Sequence, residues 1–415
     1  MKIPRLLLAV CVLYLGLIPS VFAMERMIWE DCIREAAQHN PDLAAAQEAV
    51  RKSQAQSKGA YGPLLPQLSA NAGYADAKSG GRSQQYSAGL SVKQSLFSGF
   101  KNEAGVQKGK ADLEAAAANL SVVKAQVSSD LKAAFAQLLF AQEQAQLVET
   151  IASRRQENVR LVELRFEGGR EPKGAYLRSR ALYRQADYEV SQADRALKVS
   201  QRQLARVLGR RETDRIVVQG LQTALPGSPP DFEALALQTP VRLEAVAQAQ
   251  AAAAGVKVAR SELFPDVSAT GSLGRRGEKW PPGQDEWSAG VVLSYPFWPG
   301  GQNFFDVQSA NAEERRLRES LRSTEDQTVL NLEQTFAAYQ DAVQRVGVEQ
   351  EFLEAAQARA KIARGQYTLG LLSFQDWDTI ENDLISNQKI MLTSLRDALV
   401  AEASWERVQG KGAIL

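Results

Sequence analysis

His39 is the only histidine in the 415 residues, and that removes much of the chemistry a chain of this size could perform. Metal sites built on paired imidazoles are excluded, and no second histidine exists to serve a Ser-His-Asp triad. His39 stands in "QHNPD" at a predicted helix break, where a surface or capping role is expected. Cys32 lies on the apolar side of "WEDCIREAA" and is expected to pack. The chain has neither a Walker A sequence nor a Gly-rich dinucleotide loop. One charged cluster remains: Arg165, Arg170, Lys173, Arg178, Arg180 and Arg184, interleaved with Glu163, Glu167 and Glu171. Such mixed runs are usually a solvated helix face, although a position beside a helical turn also suits docking. No catalytic residue, metal or cofactor is expected, so the chain reads as a non-enzyme.

The elements that carry these residues say more. Met1 to Ala23 begins with Lys2 and Arg5, runs apolar through "LLLAVCVLYLGLIPSVF" and closes on Val21-Phe22-Ala23. That is the pattern of a secretory signal peptide, 1-23, with cleavage after Ala23; Cys11 lies too deep in the apolar run for a lipoprotein signal. Cleavage removes Lys2 and Arg5 and leaves 47 basic against 48 acidic residues. This balance predicts no nucleic-acid binding. With only Cys32 left, no intramolecular disulfide can form. No later stretch approaches the roughly 18 apolar residues of a spanning helix, so a membrane crossing would have to use strands.

The sequence also repeats itself. "LLPQLSANAG" at Leu64 returns as "LFPDVSATGS" at Leu263, and the Ser-Ala-Gly at Ser87 returns at Ser288. "FEGGRE" matches "YTLGLL", which pairs Phe166 with Tyr367 and Gly169 with Gly370; "RVLG" at Arg206 matches "RVQG" at Arg407. The spacing is 199 to 201 residues, far above a solenoid period, so this is one duplicated module. The first repeat is assigned to 24-220, with a strand pair at 64-97, a long helix at 99-166 and a returning helix at 172-208. A proline-rich linker follows at 221-232. The second repeat is assigned to 233-415, with strands at 263-297, a long helix at 302-367 and a return at 373-409.

In the strand passages apolar and polar residues alternate strictly. Leu68, Ala70, Ala72 and Tyr74 face one way, as do Tyr86, Ala88, Leu90 and Val92, and again Trp287, Ala289, Val291, Leu293, Tyr295 and Phe297. Each strand is long enough to cross a bilayer at a tilt, and Trp287 and Phe297 are spaced as the two aromatic girdles of a barrel would be. The intervening Ser and Gly residues suit a lumen. A half-buried sheet packed on helices would look similar, but the export signal and the small polar face weigh against it. Four strands cannot close alone, and an open edge in lipid is costly, so strands must be pooled between chains. Two chains would give eight strands with a filled interior; three would give twelve and a lumen.

From Gly99 to Phe166 there is no proline, and the counterpart runs from Gln302 to Tyr367; each would be about 100 Å long. Leu113, Leu120, Val127 and Ala134 step by seven, as do Leu332, Tyr339, Val346, Leu353, Ala360 and Tyr367, which predicts left-handed coiled-coil packing. Turns at "EGGREP" and "TLGLLSF" give two antiparallel hairpins. A soluble periplasmic coiled coil, or an adaptor with one hairpin and globular β-domains, would leave the four strands unexplained.

Taken in order, the signal peptide, "NPDL", "LLPQLSANAGY", "LFSGFKN", the long helix, the Gly-containing turn and the repeat of the set resemble the TolC-type outer-membrane efflux proteins. The resemblance covers the mature chain and implies an α+β membrane protein. Each chain would supply four transmembrane strands and two long helical hairpins. A homotrimer would then form a twelve-stranded barrel in the outer membrane and an α-helical tunnel in the periplasm. The implied partners are copies of itself, outer-membrane lipid, a periplasmic adaptor protein, and an inner-membrane RND or ABC transporter of a tripartite pump or type I secretion system. The resemblance also places Gly169 and Gly370 at the adaptor-docking tips and Asp376 at the periplasmic aperture, with Asp378, next to Thr379, as the other acidic candidate there. Thr379 and Leu372 stand where some members carry a second aspartate and a linking arginine. Tyr74, Tyr86, Trp287, Tyr295 and Phe297 are the expected membrane-interface aromatics.

Overall fold

The computed structural model describes residues 25–78, 82–211 and 216–414. The signal peptide assigned to 1-23 lies outside these residues. In chain order the elements are β1 (Glu25–Ile28), α1 (Trp29–His39), α2 (Pro41–Gly59), β2 (Gln67–Lys78), β3 (Arg82–Phe97), α3 (Lys101–Glu167), α4 (Lys173–Leu208), β4 (Ile216–Gln219), α5 (Phe232–Ala236), α6 (Pro240–Ser261), β5 (Asp266–Gly277), β6 (Gln284–Ser294), α7 (Gln302–Leu369) and α8 (Phe374–Val408).

Two helices of 67 and 68 residues, α3 and α7, run the length of the molecule. Each is about 100 Å long at 1.5 Å per residue. They are flanked by shorter helices at two levels. Towards the sheet, α2 packs on α3, α3 on α6, and α6 on α7; towards the turns, α4 packs on α3, α3 on α8, and α8 on α7. The molecule is therefore a wall four helices wide at both levels. The predicted heptads form the seams: Val127, Leu332, Tyr339, Ala360 and Tyr367 are buried.

β2, β3, β5 and β6 form one antiparallel sheet in that order, so the strand pair of the second repeat extends that of the first. Leu68, Leu90, Leu273, Trp287, Val291 and Leu293 stand exposed on one face, with no layer over them among the described residues. β2 and β6 are edges with no further strand beside them among the described residues. The sheet differs from the sequence expectation at one end. β6 stops at Ser294, so Tyr295 and Phe297 lie beyond the strand, and Trp287 and Phe297 do not mark two ends of one strand. Pro296 and Pro299 cannot donate to a ladder, which ends the pairing there.

Midway along the helices sits a small core that the pattern of long helices did not announce. β1 pairs in parallel with β4 through four residues. Ile216 and Val218 pack there with Cys32, Phe135, Leu138, Leu204 and Leu208. The Gln142 side chain closes off the free edge of β4 at Val218, accepting from Val218 N and donating to Val218 O, both at 3.0 Å.

The joints between elements repeat. Pro41 and Pro240 each open a helix at its first turn, where no N–H is needed. Gly209 and Gly410 end the returning helices in the left-handed region, at φ +81° and +73°. A Cβ on Gly209 would lie 2.1 Å from the His39 carbonyl oxygen, and one on Gly410 would lie 2.1 Å from Pro240 Cδ. At these two places the repeat requires glycine for both conformation and contact.

Candidate functional site

Both turns at the far end of the wall are built alike. Gly169 and Gly370 take positive φ, +68° and +81°, after α3 and α7. Arg170 N donates back to Arg165 O at 2.8 Å and Leu371 N to Gln366 O at 2.9 Å, the 6→1 bond of a Schellman cap. Beside them Leu164, Leu369 and Leu371 are exposed. A Cβ on Gly169 would meet nothing within 4 Å, so that turn presents bare backbone to the outside.

Behind the turns a compact core holds the two hairpins together. Tyr367 and Trp377 are buried and stack with ring centroids 4.2 Å apart, next to Val162, Ala175 and Ala363. Arg165 crosses between the turns: its Nη1 donates to Tyr367 O at 2.7 Å and its guanidinium lies 4.7 Å from the Tyr367 ring centroid. Burial and the neighbouring Glu171 carboxylate push the Tyr367 hydroxyl pKa well up. Tyr176 donates to Glu163 at 2.7 Å, and this bond raises its pKa.

Above this core, polar links tie α8 to each neighbour. Asp378 is 3 % exposed; it accepts from Arg178 Nε of α4 at 2.8 Å and from Arg155 Nη1 of α3 at 3.4 Å. Arg155 also donates to Asn382 Oδ1 at 2.5 Å. Glu381, likewise buried, accepts from Arg364 of α7 at 3.0 Å. Lys389 reaches Glu189 of α4 at 2.7 Å. Near the middle of the wall, Lys132 of α3 bridges Glu402 and Glu406 of α8, 3.0 Å from each.

Asp376 and Asp378 therefore occupy different settings. Asp376 is exposed in the first turn of α8, where Ser373 Oγ accepts from its N–H at 3.1 Å and donates to its Oδ2 at 2.7 Å. That is a capping arrangement, and it leaves the carboxylate in solvent. Asp378 is buried and ion-paired within the chain.

Of the basic cluster, Arg165 and Arg178 make links between elements, whereas Arg170, Lys173, Arg180 and Arg184 are exposed. Sequence reasoning missed Arg155, one of several charges in the stretch "SRRQENVR" and not set apart from them by type. The one signal that could have found it is its heptad-like spacing to Val148 and Val162, both buried.

At the opposite end Tyr74 and Tyr86, paired across β2 and β3, have ring centroids 4.9 Å apart. Trp280, which the sequence reading did not single out, joins Tyr86 at 6.3 Å. Trp287 projects from β6 on the same face. At the junction with the helices Tyr295, Phe297, Trp298, Phe304, Phe305 and Phe100 are all exposed. The sheet thus carries exposed aromatics at both ends, and an apolar face between them. Among the described residues no helix is long and apolar enough to cross a membrane, and no group of His, Cys, Asp or Glu is placed to hold a metal.

The fold matches known structures over nearly its whole length. The outer-membrane channel OprN superposes with a TM-score of 0.84 at 21% identity, over 93% of this chain and 90% of that one. The outer membrane protein VceC of Vibrio cholerae gives 0.80 at 20% identity, over 92% and 96%. The MtrE outer membrane channel of Neisseria gonorrhoeae gives 0.82 at 19%, over 92% and 88%. In sequence, the probable outer membrane lipoprotein SilC of Salmonella typhimurium is 26% identical over 385 residues, which is 87% of this chain and 80% of the relative. The family model described as outer membrane efflux protein matches residues 32–210 and 235–410, one match in each half. With both halves of its wall and sheet covered, the chain belongs to the outer membrane efflux protein family.

Proposed function

We propose that this outer membrane efflux protein works as a homotrimeric duct. Three four-stranded sheets join edge to edge into a twelve-stranded barrel in the outer membrane, and three helical walls close into a tunnel through the periplasm. The observation that carries this reading is the sheet itself: β6 is exposed along its whole length, and among the described residues its outer edge is unpaired and the apolar face has no protein cover. In water such a surface would aggregate; in lipid, with its edges paired to a copy, every backbone group is satisfied.

Small molecules or proteins would enter at the turns, handed over by a periplasmic adaptor and an inner-membrane RND or ABC transporter. Gly169 and Gly370, with the exposed Leu164, Leu369 and Leu371, form the docking tips. Asp376 is the carboxylate free to face the axis, where three copies would make a cation-attracting constriction. Asp378 takes a different part, holding α3, α4 and α8 together close to that opening. The polar rows of the sheet and the polar outer faces of the helices suit a water-filled passage with no catalytic role.

The experiment is reconstitution into planar bilayers. Discrete conductance steps, with cation preference reduced in Asp376→Asn, are expected. A protein that fractionates as soluble and produces no conductance contradicts the reading.

A further inference from the structure

We propose that Lys93 sets an anion-attracting ring inside the barrel, opposite in sign to the Asp376 carboxylates at the far end. The inference deepens the duct reading and rests on it. Register fixes which residues share the polar face of the sheet. Ser69, Ser91, Ser272 and Ser288 lie in one row across all four strands. Within it the Ser69 and Ser91 hydroxyls are 2.7 Å apart, and those of Ser272 and Ser288 are 2.8 Å apart. One row further on, Gln67 pairs with Lys93, and Lys93 with Thr270.

Four charged residues share this face among the described ones: Lys93, Asp266, Arg276 and Glu286. Arg276 and Glu286 neutralise each other at 3.3 Å. Asp266 is the first residue of β5, at the junction with the helices. Lys93 alone stands inside the sheet with neutral neighbours, Gln67 and Thr270 across and Ser91 and Ser95 along its own strand. It is exposed and takes part in none of the ion pairs among the described residues. The other face, bearing Leu68, Leu90 and Trp287, is the one lipid covers, so alternation directs Lys93 to the lumen.

Twelve strands about 4.8 Å apart and tilted near 40° put the backbone about 12 Å from the axis. Three ammonium groups projecting inward from that wall lie within about one Debye length of the axis at 0.1 M salt, where this length is about 10 Å. The carboxylates of Asp266 are four residues further along the strand from Thr270, or about 13 Å. At that salt concentration the two rings act as separate features. The row of serine hydroxyls beside Lys93 adds neutral donors, so the site suits solutes with several negative charges.

The test uses the assembled protein in planar bilayers at 0.1 M salt, with tripolyphosphate added on the barrel side. Wild type should show voltage-dependent block that disappears at 1 M salt, where the Debye length is about 3 Å. Lys93→Arg should keep the block. Lys93→Gln should weaken it roughly tenfold, and Lys93→Glu should abolish it and admit block by hexaamminecobalt(III) instead. Equal tripolyphosphate block in wild type and Lys93→Gln, or none in wild type, overturns the proposal. A wild type without any conductance counts against the duct reading itself, so the two failures are distinct.

Discussion

Arg178 of α4 donates from Nε to Oδ2 of Asp378 at 2.8 Å, while Arg155 of α3 approaches the other oxygen, so one buried carboxylate on α8 joins three helices. The two arginines are not equivalent: the Arg178 side chain is 62 % exposed and that of Arg155 only 8 %. Removing Asp378 strands a buried guanidinium, at about 3–5 kcal/mol, whereas removing Arg178 breaks a solvent-screened contact worth about 1 kcal/mol or less. Asp378→Ala should therefore raise amide exchange across the turn-proximal ends of α3 and α8, and Arg178→Ala should barely change it. Exchange followed by mass spectrometry reads both; equal effects would contradict the assigned hierarchy.

The glycines divide in the same way. Gly209→Ala must fit a Cβ against the His39 carbonyl in a left-handed conformation, so it should lower the unfolding temperature by several degrees and reduce assembly. Gly169→Ala faces open space and loses only about 1–2 kcal/mol of backbone preference. A bulky residue at Gly169 or Gly370 should block export while leaving insertion and assembly intact. Cargo export and membrane fractionation of the same variants separate these outcomes.

Tyr339 gives a pH signature. Its hydroxyl donates to Ala224 O at 2.5 Å, and burial, with the Glu402 and Glu406 carboxylates nearby, pushes its pKa up to about 12. Between pH 10 and 12 the unfolded chain has lost that proton and the folded chain has kept it. The native state then binds more protons, and stability falls as pH rises. Tyr339→Phe should show a shallower fall over that window in thermal melts. The same slope in both proteins would show that Tyr339 does not govern it.

Much of this architecture is legible in the sequence because periodicity survives at every scale. Alternation locates the strands, the step of seven locates the seams, and the 201-residue offset pairs Gly169 with Gly370 and Gly209 with Gly410. What escapes are features decided by distant partners. β1 and β4 are four residues each and lie almost two hundred residues apart, so neither carries a local signal. The extra reach assigned to β6 past Ser294 followed the alternation of Tyr295 and Phe297 through Pro296, where ladder bonding fails. The Arg155–Asp378 link escaped because 223 residues separate its ends, so that neither the heptad spacing of Arg155 nor the position of Asp378 after the second turn says that the two meet.

The central claim is that open edges and an uncovered apolar face are completed by two further copies of the chain. Native mass spectrometry of the detergent-solubilised protein tests it most directly. The account predicts one dominant species of three chains, stable only while detergent or lipid covers the sheet. A folded monomer or dimer, or a trimer that persists in detergent-free buffer, would contradict it.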